Sequence, residues 1–178
     1  MKKHGIIIPG IIAILLMVVV ISGCTSTTVP YNNSGISFNY SSDWNTPVNA
    51  NLPSGIGITS NKTKENLTAR MDITIQDSNN PLSMWIDSVK AKINGTTSTM
   101  NGTLLSEGPV EIAGVQGYRI NYNSNDGYED AEIIFVKNYI YYDIYFSSTS
   151  SISAIESDIN TVVNSFQTTL TTTSPFSY

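Results

Sequence analysis

The chain offers few of the side chains that ordinarily do chemistry, and their positions are informative. Its only cysteine is Cys24 and its only histidine is His4, both within the first two dozen residues. After Cys24, therefore, nothing can build a Ser-His-Asp or Cys-His nucleophile system, in which an imidazole must take the proton. Zinc centres draw on Cys, His and only then carboxylates, so a zinc site is not expected either. No glycine loop ending in a lysine is present to cradle phosphates.

Carboxylates remain, 14 of them. Asp126, Glu129, Asp130 and Glu132 cluster in one stretch. Asn121, Asn123, Asn125 and Glu132 fall at positions 1, 3, 5 and 12 of a loop, a spacing that suits oxygen ligation of calcium. Against that reading, Asp126 fills the sixth position, where such loops need glycine, and the flanks read as strands. The alternative is a solvated hairpin turn built on Asn125-Asp126-Gly127. Two of the acids could also form a glycosidase pair, which depends on a separation that a sequence does not give.

Tyrosines form the other constellation. Along Tyr139 to Phe146, Ile140, Tyr142, Ile144 and Phe146 alternate with Tyr139, Tyr141, Asp143 and Tyr145. If exposed, Tyr139, Tyr141 and Tyr145 would make a flat amphipathic face for a glycan or protein. If a helix covers them, they are core. Six Asn-x-Ser/Thr sequons occur, at Asn32, Asn39, Asn61, Asn66, Asn94 and Asn101. Asn61, Asn66, Asn94 and Asn101 are the candidate glycan acceptors, whereas Asn39 lies within a strand.

Cys24 itself belongs to a leader. Lys2, Lys3 and His4 precede an apolar run from Ile6 to Ile21, broken only by Pro9 and Gly10, and the run ends in Ser22-Gly23-Cys24. A basic start, an apolar middle and small residues at the end make a secretory signal. The segment resembles a lipobox, which implies cleavage after Gly23 and a lipid on the Cys24 thiol; an uncleaved anchor is the alternative. Both place the remaining chain outside the cytoplasm. All 14 acids but only seven of the nine bases follow Cys24, so the exported part carries about −7. That charge excludes the basic footprint nucleic acid requires. With one cysteine there is no intramolecular disulfide.

The elements that must position these groups are read from periodicity. Residues 24–34 read as a tether and 35–167 as one domain, with a flexible tail over 168–178. Ile36, Phe38 and Tyr40 alternate as a strand. Asn45 to Gly57 reads as loop, with Ile56 and Ile58 opening a second strand, and Asn61 to Thr68 as a hairpin loop before a strand at Met71, Ile73 and Ile75. Leu82, Trp85, Ile86, Val89 and Ile93 form a helical stripe, with Asn80 as N-cap, Pro81 as first helical residue and Gly95 as the stop. Strands follow at Leu104-Leu105, Val110–Ile112, Tyr118–Tyr122, Ala131–Val136 and Tyr139–Phe146, the last two joined around Lys137-Asn138. Ser153 to Glu156 has the form of a capping box opening a final helix with Ile155, Ile159, Val162, Val163 and Phe166 inward. The expected fold is α+β, an antiparallel sheet with two amphipathic helices packed on it.

Ile36-Ser37-Phe38-Asn39-Tyr40 followed by Trp44 resembles the opening of PsbP-like domains. Ile112 to Tyr118 is similar to that family's glycine hairpin, and the Tyr-rich strand and closing Ser165-Phe166 are similar too. The resemblance spans Gly35 to about Phe166 and implies a Mog1/PsbP-type fold. It implies little about activity: the named members are accessory proteins, and the chain looks like the PsbP-related lipoproteins of prokaryotes, notably archaea. With no catalytic His or Cys after Cys24, a non-catalytic role without cofactors is expected. The photosystem members' histidine-bearing and lysine-rich segments are missing, so no functional residue carries over. The expectation is a lipid-anchored binding module at the outer face of the membrane, with a protein or glycan partner. The alternative is a carboxylate-dependent extracytoplasmic hydrolase.

Overall fold

The clearest organiser of the chain is the strand Ile140–Ser148, whose strict alternation gives it two buried faces. In the computed structural model, which describes residues 27–52, 55–95 and 101–171, it lies at the centre of the larger sheet. In chain order the strands are β1 (Thr28–Asn33), β2 (Ile36–Ser41), β3 (Val48–Leu52), β4 (Gly55–Lys64) and β5 (Leu67–Asp77), followed by β6 (Thr103–Ile112), β7 (Val115–Asn123), β8 (Glu129–Lys137), β9 (Ile140–Ser148) and β10 (Gln167–Thr168). Helix α1 (Leu82–Ile93) sits between β5 and β6, and α2 (Glu156–Ser165) between β9 and β10. Seven strands form one antiparallel sheet in the order β3-β4-β5-β9-β8-β7-β6, and β1-β2-β10 form a small second sheet. The α+β expectation is met.

One face of the large sheet carries Met71, Ile73, Ile75, Ile133, Phe135, Tyr142, Ile144 and Phe146, which pack against β2 and α2. Phe166 ends α2 among three aromatic rings, those of Phe38, Phe135 and Tyr142, at 5.6–6.1 Å. The opposite face carries Ile120, Tyr122, Ile134 and Tyr141, roofed by Val89 and Ile93 of α1. The sheet is thus the middle of three layers, and α1 covers its second face alone among the described helices. None of these helices is long and apolar enough to cross a membrane.

Several local expectations are corrected. Residues 28–33, expected as tether, are β1, paired residue for residue with β2 from Thr28↔Ser41 to Asn33↔Ile36. Its polar composition hides it because only Tyr31 turns fully inward, stacking on Phe38 at 4.8 Å. The expected loop 45–57 contains β3, while the strand expected from Ile56 and Ile58 is β4. The expected hairpin loop 61–68 shrinks to a turn at Glu65 and Asn66, Glu65 lying at φ 54°. Polar strand ends survive there because Lys62 is buried against Asp158 of α2 at 2.5 Å. The two short strands expected at 104–105 and 110–112 are one strand, β6, with a bulge between Leu104 and Ser106. Pro81, not Asn80, occupies the cap of α1; Gly95, at φ 68°, ends it as expected. No capping box forms at 153–156: Ser151 caps a 3-10 turn over Ile152–Ile155, and Glu156 turns to Arg119. The expected tail begins ordered, with Thr168 in β10 and Thr169 N–H donating to Gly35 O.

Candidate functional site

The groups able to do chemistry meet on the α1-facing side of β8 and β9. Opposed residues in an antiparallel pair share a face. The pairs Tyr122↔Asp130, Ile120↔Glu132, Glu132↔Tyr145, Ile134↔Asp143 and Val136↔Tyr141 therefore put three carboxyls and three tyrosines on one side. Glu132 and Asp143 are diagonal neighbours there and share a side-chain hydrogen bond. Tyr122 Oη donates to Glu132 Oε2 at 3.3 Å, and Lys92 Nζ of α1 reaches the same oxygen at 3.7 Å. Tyr141 hydrogen-bonds Asp143, while its ring stacks under Trp85 at 3.9 Å. Ser78 Oγ accepts from Trp85 Nε1 at 2.9 Å and from Asn80 N–H, fixing the start of the roof.

Burial dictates the protonation of this cluster. Removal from water disfavours a charged carboxylate or phenolate. Burial, then the adjacent charge of Glu132, pushes the Asp143 carboxyl well above the usual carboxylate range; Lys92 and the Tyr141 hydrogen bond oppose the shift in part. Two carboxyls bonded to one another need a proton between them, and burial supplies the reason it stays. The Tyr122, Tyr141 and Tyr145 hydroxyls are pushed above the phenol range, chiefly by burial and further by nearby carboxylates. They serve as fixed donors.

Toward the β4–β5 and β7–β8 turns the face emerges from under α1. Tyr145 Oη donates to Asp130 Oδ1 at 2.9 Å and accepts from Ser147. Asp130 is 0% exposed, yet its Oδ2 has no partner. An orphaned buried acceptor costs roughly 1–3 kcal/mol. Beside it opens a groove of about 390 Å³ lined by Asn61, Thr68, Ala69, Arg70, Asp126, Tyr128, Tyr145 and Ser147. A second groove of about 290 Å³ holds Glu107, Arg119, Asn121 and Glu156. Its acids are already ion-paired: Glu156 bidentate with Arg119 at 2.7 Å, Glu107 with Lys90. The Arg119 hydrogen bond holds the Glu156 carboxyl below its usual range.

Of the residues singled out in sequence, Glu132, Tyr141 and Tyr145 come together. Tyr139 does not. It stands in the β8–β9 turn with Asn138, both at positive φ, and is 68% exposed. The expected open face of Tyr139, Tyr141 and Tyr145 is accordingly corrected: Tyr141 is roofed by α1 and only Tyr145 reaches a groove. The calcium arrangement is corrected as well. Asn121 lies opposite Ala131, so it faces away from Glu132, and it bonds Arg119 Nε and Ser106 Oγ instead. Asn123 ends β7 and Asn125 sits in the following turn. Asn32, Asn39, Asn61, Asn66, Asn94 and Asn101 are all exposed; Asn94 and Asn101 face each other in a β-bridge, and Asn61 Oδ1 accepts from Asn45. Cys24 lies outside the described residues. Sequence reasoning missed Tyr122 and Arg70. Asp130, part of the acidic stretch seen in the sequence, joins Glu132, Tyr141 and Tyr145 on this face. The available signal was acids alternating with Ala131, Ile133 and Ile144 in strands otherwise fit for a core.

Comparison with known proteins adds the following. A family model described as PsbP-like protein matches residues 22–168. The fold is similar to the solution structure of cyanobacterial PsbP (CyanoP) from Synechocystis sp. PCC 6803, with a TM-score of 0.58 and 12% identity, over 83% of this chain and 95% of that one. It is also similar to a crystal structure from Bacteroides thetaiotaomicron, with a TM-score of 0.51 and 13% identity. That match covers 79% of this chain and about half, 48%, of the other. No curated protein matches the chain.

Proposed function

The chain belongs to the PsbP-like protein family, and from that premise we propose that it is a non-catalytic accessory module, held by a lipid on Cys24 at the outer face of the cytoplasmic membrane or at the cell surface. The observation that carries the non-catalytic reading is the sealing of its best acid pair. Glu132 is 2% exposed, bonded to Asp143 and Tyr122 and roofed by Lys92 and Trp85. A general acid or base must come within hydrogen-bond reach of a substrate, and this pair is spent on holding the helix to the sheet. The groove that does hold two acids has both neutralised by Arg119 and Lys90, which removes the raised-pKa acid a glycosidase requires.

Anchoring rests on the leader: a basic start, an apolar run and a small residue before a lone cysteine. Two lipid chains on that residue would hold the protein stably, where one would not. The resemblance to PsbP-related lipoproteins of prokaryotes supports a prokaryotic, archaeal-type lipoprotein. The module then supports an envelope assembly by binding a protein or glycan partner, and some of its exposed sequons carry glycans. Comparing intact protein with Cys24→Ser in cells tests the reading. The intact protein should fractionate with membranes, be shaved by external protease, and capture the same partner on crosslinking; Cys24→Ser should be released from the membrane. A soluble intracellular wild-type protein would overturn it.

A further inference from the structure

The groove beside Asp130 is built unlike the rest of the surface. Its floor is fixed: Ser147 donates to the Tyr145 hydroxyl, which donates to the buried Asp130, so the phenol is locked in one orientation. One wall presents Arg70, whose Nε is paired with Asp72 at 2.6 Å. The facing wall presents Tyr128, 36% exposed, and Asp126, whose Oδ1 is held by Ser124 Oγ and Tyr128 N–H. Asn61 also lines the groove, its Oδ1 accepting from Asn45 Nδ2.

We propose that this groove binds a neutral saccharide. The lining supplies planar amide, guanidinium and carboxylate groups that each pair with adjacent hydroxyls, together with an exposed aromatic ring for the apolar face of a sugar. Its size is that of a small-molecule site, near the lower end of the usual 300–1,000 Å³. Charge rules out an anion: the Arg70 guanidinium is already paired with Asp72, and Asp126 faces it. A simple cation would have to displace that guanidinium. Position adds a source. Thr27 O accepts from Ser42 N–H, and Asn45 N–H donates to Asn61 O, so the groove opens at the end where the chain leaves β1 toward Cys24. The inference thus rests on the anchored reading for its ligand's origin, a glycolipid headgroup or a free glycan, though not for its chemistry.

The test uses full-length protein in a sugar-free detergent. Saturation-transfer NMR is run with free glucose, galactose and N-acetylglucosamine, and flotation with phosphatidylcholine vesicles with and without digalactosyl diacylglycerol. Saturation should reach ring protons of at least one sugar, or the galactolipid vesicles alone should capture the protein. Tyr128→Ala and Arg70→Ala, both at exposed positions, should each weaken this roughly tenfold or more, as expected for loss of an anchor from a small site, with unchanged circular dichroism. Binding to free sugar identifies a glycan source, and binding only to vesicles identifies a headgroup. No transfer and no selective capture, or binding by both variants equal to that of the wild type, overturns the proposal. Membrane fractionation of Cys24→Ser then shows separately whether the anchored reading stands.

Discussion

Replacing Asp143 with Asn should remove a pH dependence that the fold carries at its centre. Asp143 binds its proton more tightly folded than unfolded, because burial and Glu132 oppose its charge. The native state therefore holds the extra proton, and stability falls as pH rises from the unfolded carboxylate value, about 3.9, toward the raised folded value. Across that window one proton is worth about 1.4 kcal/mol per pH unit. For a domain of this size that corresponds to roughly 3–5 °C in Tm per unit. Below the window the contribution is fully present and independent of pH, and above it the loss is complete. Glu156, shifted downward by Arg119, has the opposite sign: its contribution is present above the usual carboxylate value and is lost only as pH falls through its lowered one. The two windows therefore do not overlap. Thermal unfolding of the wild type from about pH 4.5 to pH 8 should show Tm declining, and Asp143→Asn, which keeps the Tyr141 and Glu132 contacts without the charge, should flatten the decline. An identical slope in both proteins would refute the shared proton.

Other changes probe separate contacts. Asp158→Ala leaves the buried Lys62 ammonium without its carboxylate and should cost about 3–5 kcal/mol in urea unfolding, whereas Lys62→Met with Asp158→Leu should recover most of that. Gly55→Ala places a Cβ 1.9 Å from Ile75 O, so strand β4 must separate from β5; a loss above about 3 kcal/mol, or failure to fold, is expected by circular dichroism. Trp85→Ala removes the ring stacked on Tyr141 and should loosen α1 while sparing the opposite face. Hydrogen exchange should then rise in residues 82–93 but not in α2.

The sequence disclosed what periodicity can disclose. Strand β9 and the stripe of α1 were legible because each buries a regular face. β1 was not, because an edge strand with one inward ring, Tyr31, looks like polar linker. The β4–β5 end was hidden for a related reason: Lys62 is a core residue only by virtue of Asp158, nearly 100 residues away. The site was half legible. Asp143 and the tyrosines stood on one side of β9 by alternation alone, but whether that side met water or a helix depended on where α1 docked. The register of β7 on β8 separates Asn121 from Glu132, and no one-dimensional spacing encodes it. Tyr139 illustrates the limit best: one residue's difference in where a turn falls moved it from the face to the tip.

The most direct measurement is the intact mass of the protein extracted from native membranes. A polypeptide beginning at Cys24 and carrying added lipid is expected, with further hexose-type increments where sequons are occupied. A mass corresponding to Met1 retained and a free thiol on Cys24 would contradict the placement of this acidic module outside the cell.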